Sequence, residues 1–457
     1  MLDLLLHGGL VATEPPTHAD IGVRDGRIAG LYEPGAAPAA TQTLDASGCA
    51  VLPGLLDAHV HPGVYRDLAD DLRDITRFAA LGGITSMVAF YRPTEAWAGS
   101  VPAGIDTFAS NSYLDFGFIL GLTRERHIEE IPIAIRDFGV NAFKYYLGYC
   151  GHEERFHADF SFTDDWLIRV LETLRDQPTD PLLCVHCENA QISGYYQETL
   201  RHQAEDSLRH FERTNPVVSE LDAAAHVSLL AHSYGVRACV VHVSAGTTAG
   251  ALRSLPWHGD GRTVLETCPH YLCVDVDDPS GLRAVVRPPV RERAEVESLW
   301  GHVLDGAIDT LGSDNCANDL EEKARAELAR CAFGFGEMGL TLPLMLTEGH
   351  HKRGLPLPRI AAMTSTNVAK AHGLYPRKGS LLPGADADLV AVDLDAERTV
   401  DPLAVKGRPD GSVYDGRTLR GWPVTTIAHG EVIVRDGTFV GELGRARHLR
   451  PAAAASI

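Results

Sequence analysis

The chain has 457 residues, of which 45% are hydrophobic and 22% are charged, a composition typical of a folded globular protein. Its 41 basic and 61 acidic residues give a formal net charge of −20, which argues against nucleic acid as a partner. The length exceeds that of one small domain and predicts a core domain with an accessory domain.

The N-terminal stretch MLDLLLHGGLVATEPP is apolar over only a few residues, and no basic segment precedes them. No later window has the length and apolar character of a membrane span, so we expect no membrane partner and a cytoplasmic location. The nine cysteines are scattered along the chain. Cys184 and Cys187 have the spacing of a redox or zinc motif, but buried reduced thiols are the favoured interpretation because no second pair follows.

Both ends of the chain predict short strands. Residues 1–50 alternate apolar and polar side chains around the turn sequence RDGR at 24–27, which is typical of a hairpin. The same alternation of apolar and polar residues recurs near the C-terminus, with a second RDG turn at 435–437. We therefore predict one small β-sandwich domain built from residues 1–50 and 378–457.

Residues 51–377 have a different sequence pattern. Short apolar runs alternate with stretches of helical periodicity such as DDLRDITRFAALG and LDAAAHVSLLAHSYG. Runs that are apolar on both faces fit a parallel sheet covered by helices, and the final glycine of each helical stretch suits a C-cap. Eight such runs in succession predict a (β/α)8 barrel of the TIM type as the catalytic domain. The runs are 51–59, 84–91, 114–122, 139–147, 182–187, 236–244, 262–268 and 307–313.

A barrel of this type places its chemistry at the C-terminal ends of its strands. Each polar side chain there also fits a structural role, such as a hydrogen-bonded core histidine or a helix-capping aspartate. In the first run the two histidines point the same way, because residues i and i+2 of a strand share a face. Coincidence does not account for such side chains in five of eight runs. They are His59, His61, Lys144, His186, His242 and Asp314.

These residue types suit a metal centre. Neutral imidazoles and carboxylates bind Zn²⁺ and similar divalent ions. Lys144 lies in the apolar run NAFKYYLGY, where burial would favour the neutral amine. A neutral amine can react with carbon dioxide to give a carbamate. The two carbamate oxygens can bridge two metal ions, and the two ions can then bind one hydroxide between them.

Short motifs at these positions resemble the amidohydrolase superfamily, within the branch of hydantoinases, dihydropyrimidinases, allantoinases and dihydroorotases. They occur in family order from about residue 50 to about residue 395, and the β-rich ends resemble the accessory domain of that family. The motifs are LPGLLDAHVH, FKYYLGY, VHCENA, VHVSAG, ETCPHYL, RPPVR, GSDN, LPLMLTEG and GSLLPGADADLV.

The resemblance implies a binuclear centre with two divalent ions, foremost Zn²⁺, and a homo-oligomer of two or four chains. Its substrate would be a small cyclic amide. The implied ligands are His59 and His61 for the first ion, His186 and His242 for the second, carboxylated Lys144 as the bridge, and Asp314 on the first ion.

Two residues would carry the reaction in this family. Asp314 would take the proton of the metal-bridging hydroxide as it attacks, and then return it to the leaving nitrogen. Tyr149 lies where hydantoinases have a tyrosine that donates to the developing oxyanion. The alternative for Tyr149 is a rim aromatic that packs against a loop.

The resemblance favours opening of a hydantoin, a dihydropyrimidine or a related cyclic ureide or imide. Dihydroorotases have an arginine at the position of Gly63, which counts against that activity here. Allantoinases resemble this chain at ETCPHYL more closely than many hydantoinases do, but they generally lack the tyrosine found here at position 149. Non-catalytic relatives, the collapsin response mediator proteins, lose metal ligands, whereas all six expected ligands are present in this chain.

Arg287 departs from the family, because hydantoinases usually have a small polar residue before the Pro-Pro pair. Its side chain could reach an anionic substituent of an atypical substrate, such as a carboxylate. Alternatively it could pair with an acidic residue at the protein surface, and we favour this second interpretation.

Overall fold

The computed structural model describes residues 1–152, 155, 157–203, 205–403 and 411–451. Parts of the predicted accessory domain, residues 404–410 and 452–457, lie outside the described residues. In chain order the strands are β1 (Leu2–Val11), β2 (Thr17–Arg24), β3 (Arg27–Tyr32), β4 (Ala40–Asp45), β5 (Ala50–Pro53), β6 (Leu55–Val60), β7 (Ile84–Tyr91), β8 (Asp115–Gly121), β9 (Ala142–Tyr146), β10 (Leu182–His186), β11 (Arg237–Val240), β12 (Thr263–Thr267), β13 (Thr310–Leu311), β14 (Leu389–Thr399), β15 (Thr418–Ala428), β16 (Glu431–Arg435) and β17 (Thr438–Phe439).

The α-helices among the described residues are α1 (Leu68–Leu81), α2 (Trp97–Asn111), α3 (Glu125–Ile133), α4 (Asp164–Arg175), α5 (Ala190–Leu200), α6 (Leu208–Thr214), α7 (Val217–Tyr234), α8 (Gly246–Arg253), α9 (Pro269–Cys273), α10 (Arg293–Leu304), α11 (Leu320–Arg325), α12 (Thr341–Leu344), α13 (Leu357–Ala361) and α14 (Asn367–Ala371). Short 3₁₀ turns lie at Leu147–Tyr149, Arg201–Gln203, Gly281–Ala284, Leu328–Arg330 and Met338–Leu340, and π turns at Ala134–Phe138, Met345–His351 and Ala362–Thr366.

The eight strands β6 to β13 form one parallel sheet in sequence order, as a TIM-type barrel requires. The sheet closes through Asn315, which follows β13. Its N–H donates to the carbonyl oxygen of His59 at 3.1 Å, and its own carbonyl oxygen accepts from His61 N–H at 2.7 Å. The barrel prediction is confirmed, and the closing seam lies directly beside the first histidine pair.

The two predicted helix ends are also confirmed. Helix α1 begins after Asp67, whose carboxylate accepts from the N–H groups of Ala69 and Asp70, and it ends at Gly82. Helix α7 ends at Gly235, which has a φ of 69° and so adopts the left-handed conformation of a C-cap.

Both ends of the chain meet in a second, mixed sheet of nine strands. Its strand order is β17-β16-β15-β14-β5-β1-β2-β3, with β4 beside β1. The predicted hairpin at 24–27 joins β2 to β3 through Asp25 and Gly26, at φ values of 52° and 71°. A β-rich unit formed by both termini is therefore confirmed.

The apolar run 51–59 differs from the prediction, because it is divided between the two sheets at Gly54. Its first part is β5, which pairs with β1 and β14, and its second part is β6 of the barrel. A Cβ atom on Gly54 would lie 2.4 Å from the Thr85 hydroxyl oxygen. Only glycine therefore allows the backbone to approach Thr85 this closely.

All nine cysteines lie within the described residues and have free thiols, as predicted. Cys184 and Cys187 are both buried. In the described part of the chain, no helix has the length and apolar character needed to cross a membrane.

Candidate metal centre

The four predicted histidines form one continuous row at the C-terminal ends of the barrel strands. The ring centroids of His59 and His61 are 5.2 Å apart, and those of His59 and His242 are 5.3 Å apart. The ring of His186 follows at 4.6 Å from that of His242. Residues from three separate strand ends are thus brought within reach of shared ions.

Asp314 lies against the first histidine pair. One carboxylate oxygen, Oδ1, is 3.2 Å from Nε2 of His59 and 3.1 Å from Nε2 of His61. Although burial opposes it, the neighbouring imidazoles hold the pKa of Asp314 well below its usual range, so the carboxylate is ionised. These three side chains offer a compact set of ligand atoms within 4.8 Å of one another.

Backbone strain accompanies two of the predicted ligands. His242 has a φ of 45° and Asp314 a φ of 51°, in the left-handed region that non-glycine residues rarely adopt. His242 lies two residues beyond the end of β11, and Asp314 lies three residues beyond the end of β13. Such strain, about 1–3 kcal/mol per residue, is typical of functional positions.

Lys144 lies beneath this row and is only 2% exposed. Its Nζ atom is buried without a hydrogen-bond partner among the described residues and lies 4.7 Å from the ring centroid of Phe90. Burial lowers the pKa of Lys144 and so favours the neutral amine. A buried amine with no hydrogen-bond partner fits a lysine that is modified to a carbamate and then binds metal ions.

Two buried carboxylates, which sequence reasoning missed, orient the histidines. Oε1 of Glu266 is 2.5 Å from Nδ1 of His59, and Oε2 of Glu188 is 2.6 Å from Nε2 of His186. A Cβ on Gly312 would lie 2.6 Å from Cβ of His59 and 2.9 Å from the Glu266 carboxylate, so this glycine permits the first contact. Such contacts fix which ring nitrogen faces a metal.

A cavity of about 460 Å³ opens above the row of imidazoles. The structure brings six of the seven predicted residues to its wall, and His59 lies directly behind them with no exposed surface. The cavity is lined by His61, Val64, Tyr65, Arg92, Lys144, Tyr146, Tyr149, Arg155, His186, His242, Val286, Arg287, Asp314, Cys316, Phe333 and Gly334.

Two tyrosines bring phenol groups to this wall. The ring of Tyr149 lies 5.0 Å from that of His186, and burial raises its pKa, so the phenol keeps its proton at neutral pH. Tyr146 was not predicted, although it lies two residues after Lys144 on the same strand and therefore shares its face.

Arg287 does not lie at the protein surface, as the favoured sequence interpretation required. It is only 9% exposed, and its Nε lies 3.4 Å from the Glu188 carboxylate. Its guanidinium carbon lies 5.1 Å from the ring centroid of Tyr149. The pairing with an acidic residue is present, but the partner is the buried carboxylate that orients His186.

A second group of metal-ligand type, Asp115, Asp386 and His429, lies away from this cavity where the two sheets meet. The Nζ atom of Lys378 lies 2.7 Å from Asp115 and 3.2 Å from Asp386 of this group, and 2.5 Å from the neighbouring Asp388. One ammonium group thus pairs with three carboxylates, and this ion-pair network favours a structural role for the cluster.

The chain is similar to several known proteins along nearly its whole length. Residues 50–433 match the description "Amidohydrolase family". An allantoinase of Deinococcus radiodurans is 34% identical, over 98% of this chain and 99% of that protein. A D-hydantoinase of Geobacillus stearothermophilus is 29% identical, over 99% and 97%. The crystal structure of a D-hydantoinase superposes with a TM-score of 0.89 at 27% identity, over 99% of each chain. That of an L-hydantoinase (dihydropyrimidinase) from Arthrobacter aurescens gives a TM-score of 0.89 at 28% identity, over 98% of this chain and 99% of that one.

Proposed function

The chain belongs to the amidohydrolase family, and from that premise we propose that it is a metal-dependent hydrolase of cyclic amides. Its substrate would be a hydantoin, a dihydropyrimidine or a related cyclic ureide or imide. The observation that supports this most directly is the buried, unpartnered amine of Lys144 beneath a row of four imidazoles and one ionised carboxylate.

We propose that these side chains hold two divalent ions, most simply Zn²⁺. The amine of Lys144 would add to carbon dioxide and release one proton, giving a carbamate with two oxygen ligands. When bound, the ions would lower the pKa of a water molecule and polarise the substrate carbonyl. The first ion would be held by His59, His61 and Asp314, the second by His186 and His242, and both by the carbamate of Lys144.

Asp314 would act as the proton carrier. Its carboxylate is ionised, buried to 9% exposure and part of the cavity wall, so it can accept a proton from the attacking water. An amide nitrogen leaves poorly unless it is protonated. The same carboxyl group would then deliver the proton to the ring nitrogen as the ring opens.

Tyr149 would stabilise the negative charge that develops on the substrate carbonyl oxygen. A phenol that keeps its proton beside His186 is a neutral donor in the wall of the cavity where the substrate would lie. The guanidinium of Arg287 over the ring of Tyr149 also keeps this side chain in place.

Allantoin is a second candidate substrate, because the allantoinase of D. radiodurans is 34% identical over nearly the whole length of both proteins. The domain bounds, 1–50 with 378–457 and 51–377, are a further proposal, with residues 51–53 of β5 adding to the accessory sheet. A homo-oligomer of two or four chains is a proposal that follows from the family. A non-catalytic scaffold fits less well, since it would have no need for all six ligands.

A panel of ring compounds tests the proposed function. We expect the zinc-loaded protein to open hydantoin, dihydrouracil or allantoin faster than dihydroorotate or glutarimide, as measured by the appearance of the ring-opened acid. A His186→Ala variant should lose both metal and turnover. A protein that opens none of these rings, or a His186→Ala variant with unchanged metal content and rate, would contradict the proposal.

A further inference from the structure

A third buried lysine, Lys323 of helix α11, has no role in the proposed reaction. Three lysines are buried among the described residues. The amine of Lys144 has no hydrogen-bond partner, and that of Lys378 pairs with carboxylates. Lys323 is only 3% exposed, and in the described part of the chain no carboxylate pairs with it. Burial accordingly lowers the pKa of Lys323 to about 7. A buried amine without a counter-charge reduces the stability of the fold, so its presence needs another reason.

The amine of Lys323 donates to two backbone carbonyl oxygens. Its Nζ lies 2.6 Å from the oxygen of Val285 and 2.7 Å from the oxygen of Gly334. The same atom lies 5.5 Å from the ring centroid of Phe335. An ammonium group has three N–H donors and a neutral amine has two, so the protonated and the neutral lysine can both keep the two hydrogen bonds.

The two carbonyl groups belong to two separate segments of the cavity wall. We call residues 285–287 the first wall segment and residues 333–335 the second wall segment. Four of their residues line the cavity above the imidazoles, namely Val286, Arg287, Phe333 and Gly334. The segments are far apart in the chain, and Lys323 connects them through one amine.

Both carbonyl oxygens would keep a donor without the lysine. The Val285 oxygen also accepts from the N–H of Gly334 at 3.1 Å, and the Gly334 oxygen also accepts from Nδ2 of Asn318 at 2.8 Å. Loss of the amine would therefore leave neither carbonyl unpaired, and it would remove a buried group that has no counter-charge. These contacts indicate that the lysine contributes to the geometry of the wall more than to stability.

The second wall segment is also bonded to the side of the cavity that carries Asp314. The carbonyl oxygen of Phe335 accepts from the N–H of Cys316 at 3.0 Å, two residues beyond Asp314. The carbonyl oxygen of Phe333 accepts from the hydroxyl of Tyr65 at 3.1 Å. The bonds of the lysine thus join the first wall segment to a part of the wall that is fixed relative to the proposed metal ligands.

We propose that Lys323 is a positioning residue, which holds the two wall segments at the separation that lets the substrate ring bind above the proposed metal centre. This inference rests on the proposed function and adds a residue that acts without touching the substrate. A shift of about 1 Å in such a wall can lower kcat/KM by up to about 100-fold. Because the amine bonds the wall segments and none of the proposed metal ligands, the loss should fall on KM.

Lys323→Met tests this inference, because it keeps an unbranched apolar side chain and removes the amine. We expect the zinc-loaded variant to have a KM for the best ring substrate at least about tenfold above that of the unmodified protein, with kcat within about threefold. Its zinc content should be unchanged, and its denaturant midpoint should equal or exceed that of the unmodified protein. Arg325→Met, at an exposed position of the same helix, is the control and should change none of these quantities.

A purely structural role of Lys323 predicts a different pattern. A variant that fails to fold, or one whose denaturant midpoint falls while KM stays the same, would overturn the inference. Asn318→Ala removes a donor to the second wall segment only, and it should raise KM less than Lys323→Met does. An equal rise in the two variants would show that the connection between the segments is unimportant, which would also overturn the inference.

Amide hydrogen exchange separates this inference from the proposed function. We expect the amides of residues 330–337 to exchange at least about threefold faster in Lys323→Met than in the unmodified protein, with helix α7 unchanged. If no ring is opened but this difference is present, the proposed function fails and the positioning of the wall by Lys323 stands. Equal exchange rates in the two proteins would overturn the positioning role, whatever the turnover.

Discussion

At the scale of single residues, the proposed role of Tyr149 as hydrogen-bond donor to the substrate oxygen can be tested by measuring turnover. A neutral phenol beside His186 would stabilise the transition state more than the bound substrate. We expect Tyr149→Phe to lower kcat by roughly 100-fold, with little change in KM or metal content. Steady-state kinetics on the best ring substrate measures this.

Tyr146→Phe is the matched control, because it removes a phenol from the wall of the same cavity. It should reduce kcat less than Tyr149→Phe does. The reverse order of the two variants would assign the donor to Tyr146, and equal kcat values for Tyr149→Phe and the unmodified protein would remove the role from Tyr149.

Glu266 would act on bound ions through His59. Its carboxylate lies 2.5 Å from Nδ1 of that histidine, which leaves Nε2 facing Asp314. We expect Glu266→Gln to weaken zinc affinity by about 10- to 100-fold, since an orienting carboxylate typically contributes this much. Competition with a chromophoric chelator measures the affinity, and Glu297→Gln at the half-exposed Arg293 pair serves as control. Unchanged affinity in Glu266→Gln would show that packing alone orients His59.

At the scale of elements, a buried charge cluster fastens the barrel to the mixed sheet. The ammonium of Lys378 bonds Asp115 at the start of β8 and Asp388 just before β14. In Lys378→Met these carboxylates and Asp386 would remain buried without their cation, and we expect a loss of about 3–5 kcal/mol in the free energy of unfolding. Chemical denaturation measures it. Lys352→Met, at an exposed pair with Glu348, should cost less than about 0.5 kcal/mol. Equal losses in the two variants would contradict a fastening role.

The same cluster predicts how stability depends on acid. Although burial raises it, the charges of Lys378 and His429 lower the pKa of Asp115 from its ordinary value of 3.8 to about 2. The unfolded chain therefore binds this proton first as the pH falls. The stabilisation, about 2 kcal/mol, is complete above about pH 4 and is lost as the pH falls through about 2.

Denaturant midpoints of the unmodified protein and Asp115→Asn between pH 5 and pH 2 measure this effect. The unmodified protein should be the more stable of the two at pH 5, and the difference should shrink toward pH 2. A difference that stays constant over this range would show that Asp115 does not titrate with the lowered pKa.

At the scale of the whole molecule, the barrel and six ligand candidates could be predicted because their signals are local. Each barrel strand is a short apolar run, and each of these side chains lies at or near the end of one. His59 and His61 could even be assigned a common direction from alternation alone. Such features need no knowledge of which strands are neighbours.

The features that were missed depend on the closed barrel. Glu266 lies 207 positions from His59 in the chain, and only strand order brings the two together. The partner of Arg287 is likewise set by the fold, which places it against Glu188. The division of residues 51–59 at Gly54 follows from the close approach of Thr85, which the sequence does not display.

We propose that Lys144 and the imidazole row hold two catalytic ions. The most direct test is a zinc titration of chelator-treated protein, in which bound metal and ring-opening rate are recorded together. We predict that the rate rises to a plateau at two ions per chain, and that Lys144→Ala binds fewer ions and opens the ring roughly 1,000-fold more slowly. Full turnover without bound metal, or a Lys144→Ala variant with two ions and an unchanged rate, would contradict the claim.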